Sequence, residues 1–554
     1  MAVRRMRLFR MGHFAARDRE PRHTLVPDGA ADPAADGAFG SEFAEPILPS
    51  MRGHNAARGE AGPSNRLPRA GSLVAVGEYS ARAFAAILKS GRLFAPVWIV
   101  AFLLLALWAY KARDLALPYF WDELGVYGRA AVYMNDHQLS LLPRALPTEL
   151  SRGHPLLLAF LCGAVFRLFG ATPTAGHVFM LMISSGLILS VFWIASAHWK
   201  AWVGLVASVA LLAQPVFLAQ STLVLPEIPM ALACLWAVHA FSQRRYGLVG
   251  LSIGLAIFFK ETAVILDLVL AAILCGQCWR ARRVGESGLR ALLAISIPVA
   301  CYGVFLVIQK QQNGWYLYPL HSGQIDFRWP AMKEKLSEGL GFLFAEQGRV
   351  AMSVVVVLWL LLRLLGRPEG KARLGPTIVV SFSVFIGAFL IFSAGNVFMK
   401  RYLLCLLPPF TIMFGAAVFD LAREQLRVAL PATAGLCLFC LAELQSPRFN
   451  CAYDMGFREA VLLQQEATRY LEDNVGCEMP ILANFPTVVG LEDPRFGYAS
   501  RRFSRSSYVP SVDDQYIFAC ELYERFEPPA GVRTELVKRF MSPYMNIALY
   551  RVLH

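Results

Sequence analysis

The stretch LVGLSIGLAIFFKETAVILDLVLAAI (248–273) decides the fold, because it is largely apolar and is broken near its middle by Lys260-Glu261. A helix that crosses a membrane needs about 20 mostly apolar residues. We therefore interpret the stretch as parts of two short spans, 246–260 and 263–279, that meet at a tight break. Charged side chains are expensive inside a bilayer, so their presence is a functional hypothesis by default. The alternative is that Lys260 and Glu261 form an intramembrane ion pair that neutralises their own charges and has no further role.

Apolar stretches of this kind recur along the chain. Hydrophobic residues make up 56% and charged residues 17% of the 554 residues, whereas soluble proteins contain about a quarter charged residues. The composition therefore predicts an all-α polytopic membrane protein. Together with the two spans above, the candidate spans are 93–112, 177–197, 201–220, 226–242, 289–309, 350–366, 376–394, 401–421 and 428–445.

One further apolar segment, 154–170, contains Arg167. Successive loops should alternate between the two sides of the membrane, and this segment does not fit that alternation. If it crossed the membrane fully, every later loop would move to the opposite side. We interpret it as a partial or re-entrant helix, or as one member of a pair whose partner is not visible. This predicts about 11–13 crossings and an odd number of them.

The Lys and Arg residues are distributed unevenly about these spans. The net charge of +13 could suggest a polyanionic partner. However, the loops on one predicted side hold thirteen Lys or Arg against three acids: Lys200, Arg244, Arg245, Arg280, Arg282, Arg283, Arg290, Arg363, Arg367, Lys371, Arg373, Arg423 and Arg427, against Glu286, Glu369 and Glu424. This is the positive-inside bias. It indicates topology, with a cytoplasmic N-terminus, and we predict no nucleic-acid partner.

The same patterns predict three segments. Residues 1–78, rich in Ala, Gly, Pro and Arg, are expected to form a disordered basic tail. Residues 79–445 are predicted to form the transmembrane domain, with outer loops at 113–153 and 310–349. Residues 446–554 follow on the outer side. The short loops favour a bacterial inner membrane.

The C-terminal segment differs from the inner loops, because it carries 12 Lys or Arg against 14 Asp or Glu. It alternates a helical stretch, Phe457–Asn474, with β-like runs at 480–484 and 546–552. This alternation predicts a small extracytoplasmic α/β domain.

Two acidic positions mark the outer ends of predicted spans. Asp122-Glu123 follows the first span, where one carboxylate is expected to face a cleft as a general base while the other positions or caps. The alternative is a plain helix-start role. Glu227, between Pro226 and Pro229, opens a middle span, where a carboxylate also stabilises a helix N-terminus.

Further candidates combine cations with polar groups. His154, which precedes a proline at a helix start, either is structural or hydrogen-bonds substrate. Lys260 could hold a phosphate as a point charge, with Glu261 beside it. Lys400-Arg401-Tyr402 places two cations on the predicted outer face, where a lipid-linked phosphate would complement them. No cluster has metal-ligand spacing, so we predict no metal ligands and no certain cofactor, with a divalent metal left open.

In this order the motifs resemble a known superfamily. They are FWDELGVYGRA (120–130), GHPLLLAFL (153–161), STLVLPEIPMAL (221–232), GLAIFFKETA (254–263) and KRYLLCLLPPF (400–410). Together they resemble the GT-C membrane glycosyltransferases of the protein O-mannosyltransferase and lipid A aminoarabinose transferase type, over roughly residues 93–445. Two departures are Leu156, where a second proline is common, and Glu227, where Asp is frequent.

The resemblance implies an enzyme that moves a sugar from a polyprenyl-phosphate donor to an extracytoplasmic acceptor, usually with inversion. It implies Asp122 as catalytic base, Glu123 as its neighbour in the acidic pair and Glu227 as the second acid. Lys260, with Lys400 and Arg401, would hold the donor phosphate.

Two alternatives stay open. A secondary transporter would be expected to show internal repeats with paired broken helices, and no such repeat is evident in the sequence. The other alternative is a ligase or flippase that handles a lipid or polymer of the cell envelope.

Overall fold

The computed structural model describes residues 94–282, 286–365, 376–423, 425–442, 453–522, 528–529 and 531–553. Over these ranges the chain forms a bundle of apolar helices followed by a small region of mixed helix and sheet. The basic tail predicted at 1–78 lies outside the described residues, as does the start of the predicted transmembrane domain at 79–93.

Most helices of the bundle lie in the apolar stretches, and the more polar ones lie in the two predicted outer loops. They are α1 Phe94–Lys111, α2 Gly128–Asp136, α3 Leu157–Phe169, α4 Pro173–His198, α5 Ala201–Leu212, α6 Pro215–Gln220, α7 Glu227–Ser242, α8 Tyr246–Phe259, α9 Val264–Ala281, α10 Glu286–Asn313, α11 Pro319–Ser322, α12 Trp329–Phe344, α13 Arg349–Leu364, α14 Pro376–Gly395, α15 Leu407–Leu421 and α16 Leu426–Ala442. Short 3₁₀ turns at Glu261–Ala263 and Lys400–Leu406 lead into α9 and α15.

Within the described residues, five helices are long and apolar enough to cross a membrane: Pro173–His198, Glu261–Ala281, Gly288–Asn313, Thr377–Gly395 and Lys400–Leu421. The pair α12 and α13, bent by 89° at its junction, would add a sixth. Each remaining predicted span overlaps a shorter apolar helix, but 201–220 is divided into α5 and α6, and 443–445 lie outside the described residues. The predicted fold class, a helical membrane protein with a small C-terminal α/β part, is confirmed, and the number of crossings stays a prediction.

Residues 154–170, the segment that does not fit the predicted alternation of sides, contain α3. Its 13 residues extend over about 20 Å at 1.5 Å per residue, which is less than the roughly 30 Å of a hydrocarbon core. Gly170 ends the helix at φ 89°, a conformation that glycine adopts without steric penalty. Pro173 then starts α4 in the first-turn position that suits proline.

The centre of the bundle is formed by α7 and α15. Most side chains of α7 are buried. In the span Lys400–Leu421, which contains α15, 94% of an 18-residue apolar stretch is buried inside the protein. Glu227 is the first residue of α7, and Arg401 lies in the 3₁₀ turn before α15. Two charged side chains therefore lie at the ends of the two most enclosed helices.

The C-terminal region begins with α17, Phe457–Asn474, which has the predicted bounds. Its buried side chains recur at helical spacing, from Phe457 through Val461 and Gln464 to Leu471, as in an amphipathic helix. The remaining elements are β1 Ile481–Ala483, α18 Thr487–Glu492, β2 Ser506–Ser507, β3 Tyr516–Glu521, β4 Arg533–Met541 and β5 Asn546–Leu553. The strand order is β2-β1-β3-β5-β4, parallel around β1 and antiparallel around β5.

Candidate active site

Asp122 lies in an irregular stretch of backbone between α1 and α2. Trp121 has φ +41°, a conformation that is unfavourable for a bulky residue. Glu123–Tyr127 forms a π-helical turn, in which the Gly128 N–H donates to the Glu123 carbonyl. Isolated π-turns are rare and are found frequently at functional sites. The acidic pair therefore lies in a stretch that ordinary helix rules do not predict.

Asp122 pairs with Arg401, which lies 279 residues away in sequence. The Asp122 side chain is 24% exposed, whereas that of Arg401 is 4% exposed. Burial raises the pKa of the Asp122 carboxyl, but the charge and hydrogen bond of Arg401, together with His154 and Lys260, outweigh burial and lower the pKa below its ordinary value. Asp122 is therefore an ionised carboxylate that solvent can reach.

Glu227 and Lys260 form a buried ion pair beside this contact. Lys260 Nζ donates to Glu227 Oε1 over 2.8 Å, and both side chains are at most 3% exposed. Arg401 Nε lies 3.7 Å from the same Oε1. Two buried polar atoms, Glu227 Oε2 and Arg401 Nε, have no hydrogen-bond partner among the described residues. A ligand with both donor and acceptor groups would complement them.

His154 and Glu261 form a second polar contact near the pair. His154 Nδ1 lies 3.2 Å from Glu261 Oε1. The His154 ring stacks on Tyr127, with ring centroids 5.7 Å apart, and lies 5.2 Å from the His321 ring. Burial and the nearby His154 lower the pKa of His321 to about 4, so this ring is neutral at pH 7.

Tyr402 closes the cluster through its aromatic face. Lys260 Nζ lies 3.3 Å from the centroid of the Tyr402 ring, and the Arg401 guanidinium lies 5.5 Å from it. Cations are attracted to the negative face of an aromatic ring. Tyr402 therefore helps to hold both cations in place.

Glu123 does not face this cluster. Its side chain is fully buried. Its Oε2 accepts from the Phe120 N–H over 2.9 Å, and its Oε1 accepts from the Val224 N–H over 2.8 Å. His177 Nε2 lies 2.8 Å from Oε1. Residues adjacent in a helical turn point in different directions, so Asp122 faces the cluster while Glu123 anchors the turn to the bundle.

Lys400 also points away from Asp122. Its Nζ donates to Glu346 Oε1 over 2.8 Å and lies 3.7 Å from Glu338 Oε1. A 3₁₀ turn has three residues per turn, so the side chains of Lys400 and Arg401 diverge by roughly 120°. The structure therefore does not join Lys400 to Lys260 and Arg401 as the expected single group of cations.

Three residues near the site were not anticipated from the sequence. Tyr127 lies five residues after Asp122, about one turn of a π-helix, and no sequence signal marks a π-turn. His177 and His321 lie on α4 and α11, and neither sits in a recognisable motif. Only the aromatic and polar character of the outer loop containing His321 could have drawn attention to it.

The arrangement can support proton transfer next to an anion. A partly exposed carboxylate, Asp122, can accept a proton, and the two buried cations can stabilise negative charge where water is largely excluded. Among the described residues, no group of three or more His, Cys, Asp or Glu side chains is placed to hold a metal ion. These features define a polar site at the ends of apolar helices, with the charges needed to handle an anionic substrate.

Comparison with known proteins narrows this class. Residues 153–302 match the family described as dolichyl-phosphate-mannose-protein mannosyltransferase. This range contains His154, Glu227, Lys260 and Glu261, but not Asp122. No curated protein sequence matches the chain at a significant level.

The fold is similar to that of ArnT from Cupriavidus metallidurans. The structure of ArnT bound to undecaprenyl phosphate covers 82% of this chain and 97% of its own, at 13% identity and a TM-score of 0.53. The apo structure of ArnT covers 82% and 98%, at 14% identity and a TM-score of 0.53. At this identity the similarity demonstrates a shared fold.

The predicted resemblance to the GT-C membrane glycosyltransferases is confirmed by the family match and the fold together. The predicted class of enzyme, a glycosyltransferase, is confirmed by the family match.

Proposed function

We propose that this chain transfers a sugar from a polyprenyl-phosphate donor to an acceptor on the extracytoplasmic side of the membrane, with inversion at the anomeric carbon. One observation carries the proposal. Asp122, partly exposed and ionised, pairs with the buried Arg401, and Glu227 links Arg401 to the second buried cation, Lys260. The proposed base therefore lies next to positive charge at the ends of the enclosed helices, which supports the proposal.

In the proposed reaction Asp122 accepts the proton from the acceptor hydroxyl or amine. The acceptor oxygen or nitrogen forms a bond to the anomeric carbon while the bond from that carbon to the phosphate oxygen breaks. The phosphate leaves with the electron pair and needs no general acid, because it is already a good leaving group at neutral pH. Arg401 and Lys260 stabilise its charge. A single displacement of this kind needs one base rather than two carboxylates in sequence.

An apolar groove beside the cluster supports a lipid-linked donor. It has a volume of about 790 Å³ and lies between α8 and α10. Leu157 and Phe258 line it, and these residues lie three positions after His154 and two before Lys260. The similar structure of ArnT was solved with undecaprenyl phosphate bound. We propose that the isoprenoid chain of the donor occupies this groove.

The test replaces Asp122 in the full chain. The wild-type protein in lipid vesicles is expected to release polyprenyl phosphate from a polyprenyl-phosphate sugar when a cell-envelope extract supplies the acceptor. In Asp122→Asn the rate should fall by about 10²–10⁴-fold, the usual contribution of a general base. Donor binding should be retained, and the anomeric configuration of the wild-type product should be opposite to that of the donor.

Asp326→Asn is the matched control. Asp326 is a carboxylate in the loop before α12 that pairs locally with exposed Arg328, so its loss should leave the rate unchanged. Wild-type turnover in Asp122→Asn would refute the role of Asp122. A wild-type protein that moves the donor across the membrane chemically unchanged would identify a transporter instead.

A further inference from the structure

The backbone that carries Asp122 adopts an unfavourable conformation and needs external support. Positive φ at a non-glycine residue such as Trp121 has a free-energy cost, and such residues persist only where surrounding structure holds them. We name residues 118–129 the catalytic segment. Its contacts on one side come from the bundle, through Glu123 with His177 on α4 and with the Val224 N–H before α7.

On its other side the catalytic segment contacts the C-terminal region through hydrogen bonds. Tyr498 Oη donates to the Tyr119 carbonyl over 2.8 Å, and the Tyr119 N–H donates to the Phe496 carbonyl over 3.2 Å. The Tyr498 side chain is 3% exposed. These bonds lie three residues before Asp122, at the point where the chain enters the strained turn.

Close packing joins the same two parts at the π-turn. A Cβ placed on Gly125 would lie 2.5 Å from Phe485 Cζ and 2.8 Å from Pro486 Cβ, so any larger residue would have to displace one of these side chains or the turn itself. Arg129 Nη2 also lies 3.4 Å from Glu492 Oε2. The C-terminal region therefore contacts the catalytic segment both before and after Asp122.

We propose that the C-terminal α/β region positions the catalytic base, by holding residues 118–129 so that Asp122 meets Arg401. Tyr498 and Phe485 are positioning residues in this arrangement, because they meet the segment at Tyr119 and Gly125 rather than at Asp122. The inference rests on the proposed role of Asp122. It gives a role to the C-terminal region, for which the sequence predicted only a fold. Its physical basis is that a strained turn relaxes when one of its two supporting surfaces loosens.

The first experiment is Tyr498→Phe in the full chain, which removes one hydroxyl without changing the ring. We expect kcat to fall about 5-fold, as for the loss of one hydrogen bond, with the KM for the donor unchanged. Tyr508→Phe is the control, because Tyr508 lies in the same region but is 63% exposed. It should behave as wild type.

The pH profile distinguishes positioning from general destabilisation. The charged groups that act on Asp122 are Arg401, His154 and Lys260, which together lower its pKa against the effect of burial. The ionised carboxylate is the active form, so the rate falls as the pH drops through this pKa. When Asp122 shifts away from Arg401 its pKa rises. The acid limb of the pH–rate profile, where the rate falls at low pH, should therefore lie at higher pH in Tyr498→Phe than in the wild type. A lower rate with an unmoved acid limb would overturn the inference.

The second experiment tests the close contact with Gly125→Ala. The new methyl group would meet Phe485 and Pro486 and displace the turn, so kcat should fall by at least 10-fold and the acid limb should move to higher pH. Gly303→Ala is the control, because nothing lies within 4 Å of a Cβ at that position, and it should keep the wild-type kcat. Full activity in Gly125→Ala, or a lower kcat with an unmoved acid limb, would overturn the inference.

The two proposals fail separately. If Asp122→Asn is inactive while Tyr498→Phe and Gly125→Ala keep the wild-type rate and acid limb, only the positioning role is refuted. An active Asp122→Asn refutes the proposed base itself.

Discussion

Asp122 and Glu123 are adjacent carboxylates with different surroundings. Asp122 is partly exposed and pairs with Arg401, whereas Glu123 is enclosed and accepts hydrogen bonds from two backbone N–H groups. Burying a charge is unfavourable unless hydrogen bonds and nearby charges compensate it, and the surroundings of Glu123 provide this compensation. We therefore propose that Glu123 holds the turn while Asp122 acts as the base.

This assignment predicts a stability effect for Glu123. Glu123→Ala leaves the Phe120 and Val224 N–H groups without acceptors, so the free energy of unfolding should fall by about 1–3 kcal/mol for each buried group left unsatisfied. The measurement is the midpoint of thermal unfolding in detergent, with the exposed Glu478→Ala as control. Equal midpoints for the two variants would contradict the anchoring role.

At the scale of elements, close helix contacts depend on glycine at particular positions. A Cβ on Gly250 of α8 would lie 2.5 Å from the Ala294 carbonyl oxygen of α10, whereas Gly247 has nothing within 4 Å of such an atom. The contact at Gly250 involves backbone, which cannot rotate away as a side chain can. The approach of α8 to α10 therefore depends on Gly250.

This contact predicts different outcomes for two identical substitutions on one helix. Gly250→Ala should push α8 away from α10 and lower the free energy of unfolding by about 1–3 kcal/mol, the usual range for overpacking. Gly247→Ala should be neutral or slightly stabilising, since alanine favours helix more than glycine does. Thermal unfolding of both variants tests this, and a tolerated Gly250→Ala would show that α8 and α10 can separate freely.

At the scale of the whole molecule, the arrangement of charge predicts an orientation. The loop between α7 and α8, which contains Arg244 and Arg245, is expected in the cytoplasm under the positive-inside rule. The C-terminal region carries more acidic than basic residues and contacts the catalytic segment. We therefore expect that region and Asp122 on the extracytoplasmic side.

Cysteine labelling in intact cells tests this orientation. In a cysteine-free background, Val512→Cys, at a position 90% exposed, should react with a membrane-impermeant maleimide. Gln243→Cys, at an exposed position beside Arg244, should react only after the membrane is permeabilised. The reverse pattern would invert the topology and place the proposed transfer on the cytoplasmic side.

The sequence by itself determined the membrane class, the positions of the apolar helices and the helix Phe457–Asn474. Apolar length and amphipathic spacing are local properties that can be read from the sequence. In a bilayer an apolar stretch must form a helix, because its backbone polar groups have to be satisfied within the segment. The ordered motifs also contained Asp122, Glu227, Lys260 and Arg401, which the fold brings into one cluster.

Only the tertiary structure decided how the charges pair. Asp122 meets Arg401 across 279 residues, whereas Lys400, next to Arg401, pairs with Glu346, and Glu123 turns to His177. These choices depend on the direction of each side chain on its turn, and the π-turn after Trp121 changes that direction without any sequence signal. Support of this turn by Tyr498 and Phe485 depends on packing between distant parts of the chain, which local sequence patterns do not encode.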